Sequence, residues 1–496
     1  MRLLGDAETE RVIRWFAPLV VTTLAAVLRL TNLNHPHELA FDETYYVKDA
    51  WSLWVLGYEG TWGEGADEQI LRGDTGALSD EGSFVVHPPL GKWIIAIGMA
   101  VFGPGSSGGW RLSTAVLGTA TVLVVYLAAL VMTRSIPVAT IASLLLAVDG
   151  LGIVMSRIAL LDGILTFFLL LGFLFVLLDR RRSMPLLEHR DPNAPDPLWG
   201  RVLWRRPWVV AAGVALGAAT AVKWSGLYAL AGLGIYLVVT DALARRRAGV
   251  LFWPTDAAFR QGPISFLLLV PAALLTYLAS WFDWLLTDGG YDRQSDPNPL
   301  VALWNYHQAM YGFHVNLSSG HPYASAAWEW PLLLRPTAVW VDSEDQSCWG
   351  TDHCIAVISA IPNPLIWYAG VAAAVYLLYR LVRGLIRRQP MPWTYGIPLV
   401  GLAVTYVPWL LIPGRTIFQF YTIAMMPFLV LAIALALRDL AGGRRAPLHR
   451  RQAGERTVMV FLVLVLVVSA FFYPIWTGMN VPYTFWLVHN WLPGWV

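Results

Sequence analysis

The chain alternates long apolar runs with short polar loops. Twelve runs stand out: 15–30, 89–103, 111–131, 137–155, 158–178, 208–222, 226–240, 263–282, 358–379, 395–412, 418–437 and 457–474. A helix of roughly 20 apolar residues spans a bilayer and satisfies its own backbone hydrogen bonds there. The pattern predicts an all-α polytopic membrane protein. Basic clusters mark one side: 179–183, 205–207, 244–247, 380–388 and 438–445, with Arg11 and Arg14 at the start of the chain. Such clusters concentrate in cytoplasmic loops, which puts them and the N-terminus inside. Loops 31–88 and 283–357 then lie outside, as does the segment after the last run. Four runs separate loop 31–88 from the basic loop after 178, where an odd number is required. One of them fails to cross, or two join as a broken unit, and the short runs around Arg157 are the place for it. Eleven crossings follow.

Composition narrows the class. Charged residues make up 14% of the 496, against about 25% in soluble domains. The net charge of +2 leaves no footprint for nucleic acid. The 25 Trp and 19 Tyr, many near the ends of runs, suit interfacial belts. The first run lacks a small-residue cleavage site and reads as an anchor. No G-x-x-x-x-G-K motif supports a nucleotide-driven pump. A transporter would show paired repeats or matched broken helices, and none is visible.

The candidate chemistry sits in the outside loops. Asp42 and Glu43 stand side by side in a chain poor in charge. A carboxylate there can act as a general base; a solvated pair that keeps the loop out of the bilayer is the plain alternative. Tyr46, Trp51, Trp54, Val55 and Tyr58 follow at helical spacing, which predicts an amphipathic helix along the outer interface. His87 and Lys92 lie where the loop returns to the membrane through two prolines. Arg157 and Asp162 sit between apolar runs, five apart, so their pairing needs a break; charge at membrane depth usually faces a cavity or partner. Lys223 interrupts a hairpin at its outer end, as a snorkelling tip or a cation for phosphate. Arg415 lies in another outside turn, and a guanidinium can hold phosphate at two oxygens. His321, Tyr323, Glu329 and Trp330 lie in an aromatic stretch suited to a sugar or peptide cleft or to a surface belt. Cys348 and Cys354 favour a disulfide in an oxidising compartment, over free thiols or a metal site with His353.

Several stretches together resemble the protein O-mannosyltransferases that use polyprenyl- or dolichyl-phosphate mannose: FDETYYVKDAW (41–51), HPPLGKW (87–93), SRIALLDG (156–163), KWSGLY (223–228), HPYASAAWEWPL (321–332) and NPLIWYAG (363–370). The resemblance implies a GT-C type glycosyltransferase fold with about 11 transmembrane helices. It divides the chain into a catalytic domain, 1–435, and a remainder, 436–496, with a basic cytoplasmic loop and the last span. It implies mannose transfer from a polyprenyl monophosphate carrier to Ser and Thr hydroxyls of secreted proteins, with inversion, at the outer face of the plasma membrane. Asp42 corresponds to the family's central acid, and Glu43 supports acceptor binding or geometry. Cations near the donor phosphate replace a metal, so no metal or other cofactor is expected. The secretion translocon is a candidate partner. The eukaryotic relatives' β-trefoil insert has no room in loop 283–357. Related enzymes that glycosylate lipids or glycans remain an alternative.

Overall fold

In chain order the first helices are α1 (Ala7–Leu30), α2 (Glu43–Leu56), α3 (Ala66–Leu71), α4 (Leu90–Phe102), α5 (Ser107–Thr133), α6 (Ile136–Ala147), α7 (Gly150–Arg157) and α8 (Leu161–Leu187). Next come α9 (Pro207–Val222), α10 (Gly226–Arg247), α11 (Trp253–Thr255), α12 (Gly262–Ser280), α13 (Phe282–Leu286) and α14 (Pro299–Asn316). The last are α15 (Pro364–Ile386), α16 (Gly396–Leu410), α17 (Met426–Ala441), α18 (Leu448–Thr477) and α19 (Tyr483–Leu487). This computed structural model describes residues 7–190, 195–343, 347–389, 392–442 and 446–495. Arg444 and Arg445 of the last basic cluster lie outside the described residues, as does the side chain of Arg11.

Among the described residues, six helical stretches are long and apolar enough to cross a membrane: α5, α8, α10, Trp253–Ser280, α15 and α18. The helices α6 and α7 pass the same test only as a pair bent by 58°, the form of a broken span or of a re-entrant loop, and α4 and α9 are shorter apolar helices. The run at 137–155 is thus a broken unit, and its break is built by side chains. Asp149 leaves the helix in an extended conformation and accepts a hydrogen bond from Gly152 N at 2.9 Å, capping α7. Its other oxygen accepts from Asn363 N at 2.9 Å, at the start of α15. A Cβ on Gly150 would come within 2.0 Å of the Trp476 ring, so α7 packs on α18 through a bare backbone. A second interruption follows α7, where Ile158 and Leu160 are extended and residues 158–160 are buried.

Two runs start later than the apolar pattern suggests. Residues 354–359 form a buried strand, and α15 begins only where Asn363 caps Leu365 N and Ile366 N ahead of Pro364. Residues 419–424 wind as a 3-10 turn before α17. The stripe expected on α2 is divided: Tyr46 and Tyr58 are buried, whereas Trp54 and Val55 are exposed. Tyr46, Val47, Ala50 and Leu53 form the buried face, and Gly57 ends the helix in the left-handed region.

Small sheets join the loops. β1 (Gly60–Trp62) pairs antiparallel with β2 (Leu78–Gly82). β3 (Ala338–Asp342), β4 (Cys354–Ser359) and β5 (Asn480–Pro482) form an antiparallel sheet in that order. Cys348 and Cys354 are joined by a disulfide in the β3–β4 connection. Loops 31–88 and 283–357 meet at one end of the bundle: Tyr306 Oη bonds to both Val85 N and Val85 O at 3.0 Å, and Trp340 Nε1 donates to Glu38 Oε2 at 2.8 Å.

The opposite end is held by buried charge. Arg206 reaches Asp179 at 2.7 Å and Asp241 at 3.1 Å, and Arg180 pairs with both acids. Removing one partner of a buried pair strands the other, at about 3–5 kcal/mol. Arg206→Ala should therefore lower the thermal unfolding midpoint in detergent markedly, while Arg205→Ala, on an exposed neighbour, leaves it within experimental error. Equal effects of the two substitutions would contradict this account of the network.

Candidate active site

The acidic pair divides into two environments. Glu43, the first residue of α2, is fully buried. Arg111 of α5 grips it with two hydrogen bonds, Nε to Oε1 at 2.8 Å and Nη2 to Oε2 at 2.7 Å. Glu43 also accepts from Ala40 N at 2.8 Å and from Ala159 N at 2.7 Å, in the unwound stretch between α7 and α8. Unwound backbone at membrane depth needs such a partner. The guanidinium further donates to Pro36 O at 2.6 Å and Glu38 O at 2.8 Å. One ion pair therefore joins loop 31–88, α5 and the α7–α8 break.

Asp42, one residue earlier, is half-buried and points elsewhere. It occupies the N-cap of α2 without a side-chain cap bond, and among the described residues no chain group hydrogen-bonds its carboxylate. Phe41 before it adopts φ 51°, turning the chain sharply into α2, and its ring packs edge-on against His321, Phe418 and Phe420. The charged groups that face Asp42 are Lys223 and Asp162. They pair with each other, Nζ to Oδ2 at 2.7 Å, and Lys223 also lies 5.0 Å from the Tyr421 ring. Burial raises the Asp42 carboxyl from its usual 3.8 to about 6, with Lys223 opposing the rise and Asp162 adding to it.

A cationic side adjoins this cluster. His314 Nε2 lies 2.7 Å from Val86 O, and its Nδ1 lies 3.0 Å from Arg415 Nη2. A carbonyl only accepts and a guanidinium only donates, so His314 is neutral with its proton on Nε2. Burial and the Arg415 charge push it down to about 4, in agreement. His87 stacks on His314 at 5.3 Å and is held well below its ordinary value by burial, with Lys223 and His314 adding. Among the described residues Arg415 has no carboxylate within 4 Å, and its buried Nε has no hydrogen-bond partner. Its guanidinium lies 5.8 Å from the centre of the Trp409 ring.

The remaining sequence candidates take other places. Arg157 spends its guanidinium on the carbonyls of Leu28, Arg29, Thr31 and Asn32, so it fastens the end of α1 and does not pair with Asp162. Lys92 is fully buried against Glu59 at 2.5 Å and donates to His87 O at 3.1 Å, which sets the His87 loop. Glu329 closes a capping turn, accepting from Ser325 Oγ at 3.0 Å and Ala326 N at 2.9 Å. Trp330 is fully buried and donates to Ser325 O at 3.2 Å. Trp330 is enclosed, whereas Glu329 is half-buried. His321 is exposed beside Phe41, and Tyr323 lies under Arg335 at 5.4 Å. Sequence reasoning missed Arg111, His314 and Tyr421. Among the described residues no group of three His, Cys, Asp or Glu is placed to hold a metal ion.

Residues 78–286 match the family model described as dolichyl-phosphate-mannose-protein mannosyltransferase, and 299–495 match the C-terminal four-transmembrane region of protein-O-mannosyltransferase. The chain is 35% identical to the polyprenol-phosphate-mannose–protein mannosyltransferase of Mycolicibacterium smegmatis, over 98% of this chain and 94% of that protein. The proteins of the same description from Mycobacterium tuberculosis and Corynebacterium glutamicum are 32% and 30% identical, over 98% and 96% of this chain and 92% of each relative. Among solved structures, the S. cerevisiae protein O-mannosyltransferase Pmt1-Pmt2 complex bound to the sugar donor superposes with a TM-score of 0.75 at 15% identity, over 97% of this chain and 92% of that one. ArnT from Cupriavidus metallidurans bound to undecaprenyl phosphate gives 0.50 at 16% identity, over 96% and 76%. The fold is that of the GT-C glycosyltransferases.

The folded chain holds the Asp42 proton more tightly than an unfolded one, so this group opposes folding above about pH 6 and the opposition fades as pH falls through that value. Infrared difference spectra against Asp42→Asn should show a carboxyl titrating near pH 6. Lys223→Met, which removes the opposing cation, should move it higher. An Asp42 carboxyl at the ordinary value, unmoved by Lys223→Met, would contradict this electrostatic account.

Proposed function

The chain belongs to the protein O-mannosyltransferase family, and we propose that it moves mannose from polyprenyl monophosphate to Ser and Thr hydroxyls of secreted proteins at the outer face of the plasma membrane. The observation that carries this reading is the site's charge arrangement. A half-buried carboxylate without a partner, Asp42, faces the Asp162–Lys223 pair, while the uncompensated Arg415 stands on the adjoining wall.

The donor phosphate fits Arg415, whose free guanidinium edge can take two of its oxygens. Lys223, half-neutralised by Asp162, borders both the phosphate and the sugar. The acceptor hydroxyl attacks the anomeric carbon from the face opposite the phosphate. The new carbon–oxygen bond forms as the bond to phosphate breaks, and polyprenyl phosphate leaves with the electron pair. The hydroxyl proton passes to the Asp42 carboxylate, for which a value near 6 suits a base at neutral pH. Arg415 answers the charge that develops on the leaving oxygen. Glu43 acts through Asp42, as the residue that fixes its place. His321 and Tyr323, near Phe41, border the acceptor's approach. In this reading loops 31–88 and 283–357 are outside, the basic end is cytoplasmic, and the acceptor arrives as a chain leaving the secretion translocon.

Single-turnover transfer from mannosyl-phosphoryl polyprenol to a Ser/Thr peptide tests the assignment. A positioned base is worth ~10²–10⁴ in rate, so Asp42→Asn should lose that much with donor binding intact. Near-wild-type turnover would place the base elsewhere. Arg415→Ala removes a charge-assisted contact, and donor affinity should fall about 10–100-fold. Unchanged donor affinity would remove Arg415 from the phosphate site.

A further inference from the structure

A cavity of about 2410 Å³ opens at the end of the bundle away from Asp42, walled by α1, α5, α6, α8, α15, α17 and α18. Helix α8 measures the separation. Its first turn carries Asp162 in the candidate site, and 19 residues later it presents Arg181 on the cavity wall. At 1.5 Å per residue that is about 28 Å, close to the roughly 30 Å of a bilayer's hydrocarbon core.

The cavity has two kinds of lining. Leu123, Leu127, Leu130, Ile141, Leu144 and Leu462 supply an apolar wall between helices. Arg14, Arg134, Arg181, Arg438 and Arg450 ring it, while Arg380 is already paired with Asp439 at 2.7 Å. Among the described residues none of those five has a carboxylate within 4 Å. Arg181 Nε donates to Val131 O at 2.8 Å, and among the described residues no side-chain hydrogen bond holds the other four. The contrast at the same end is sharp: Arg180, Arg206 and Arg245 are all neutralised by buried aspartates. Unpaired cations are thus gathered around the hollow. Arginines that only set orientation in a membrane need neither a hollow nor an apolar wall beside them.

We infer that this cavity binds an anionic phospholipid of the leaflet opposite the active site. The lipid phosphate lies among Arg134, Arg181, Arg438 and Arg450, and the acyl chains run along the leucine wall. A free phosphate would satisfy the arginines and leave the apolar wall without a partner. A zwitterionic lipid would cover the wall and bring no net charge to answer the arginines. The inference stands independently of the transfer reaction.

Native mass spectrometry of the full-length chain, released from vesicles of phosphatidylcholine with phosphatidylglycerol, tests it. The wild-type chain should retain phosphatidylglycerol in preference to phosphatidylcholine. Each arginine near a membrane surface is worth about fivefold in binding an anionic lipid. The variant Arg134→Gln/Arg438→Gln/Arg450→Gln should therefore lose on the order of 100-fold in that preference at low salt. If the triple variant fails to fold, Arg450→Gln alone, on the exposed first turn of α18, should show about a fivefold loss. Equal retention of phosphatidylglycerol by wild-type and variant chains would overturn the site. Displacement of the lipid by an equal concentration of inorganic phosphate would overturn its assignment to a lipid.

Discussion

The structure hangs on the buried ion pair of Glu43 and Arg111. Two charges out of water are costly unless every remaining donor and acceptor is answered. Here they are. The carboxylate takes four N–H bonds, two from the guanidinium and one each from Ala40 and Ala159. The guanidinium's other protons go to carbonyls of loop 31–88. The pair therefore does what neither a hydrophobic contact nor a surface salt bridge could. It satisfies unwound backbone between α7 and α8, and it fixes the first turn of α2 against α5. Asp42 is the residue next to that anchor, and Asp162 lies three residues beyond Ala159. The two acids are brought to one place by the same pair.

Charge balance then separates structure from chemistry. Where charge is matched and enclosed, as at Arg111 or in the Asp179–Arg206 network, it holds helices together. Where it is unmatched, the proposed function gives it a ligand. Among the described residues the Asp42 carboxylate has no hydrogen-bonding partner, and the Arg415 guanidinium has a neutral histidine and the face of Trp409 but no carboxylate. The arginines around the far cavity follow the same rule at the other end of the bundle. Low dielectric strengthens both outcomes, since an enclosed pair attracts strongly and a lone charge is poorly solvated.

Much of the architecture was legible in the chain. Hydrophobic length located most of the helices, and the even count of early runs, where an odd one was required, asked for a run that does not cross or for a joined pair near Arg157; the sharp bend falls earlier, inside the run 137–155 at Asp149. The pattern could not show that Asp149 and Gly150 would make that break, because their partners Asn363 and Trp476 are distant in sequence. The same limit governs the site. Asp42 and Lys223 stood out as charges among apolar residues, but the pairing of Lys223 with Asp162 spans 61 residues. Arg111 was invisible because it opens an apolar run and so looks like a boundary. Trp330 looked like part of a cleft because composition cannot tell an aromatic that lines a surface from one that fills a core.

The central claim is that Glu43 works through Asp42. A double-mutant cycle on single-turnover transfer with saturating donor tests it most directly. Glu43→Gln alone should slow transfer, because Asp42 loses its fixed position. In an Asp42→Asn background, Glu43→Gln should cost far less than it does in the wild type, since no base remains to be placed and only the seat of Asp162 is still disturbed. Losses that multiply across the two substitutions would show that Glu43 contributes on its own, and would contradict the account.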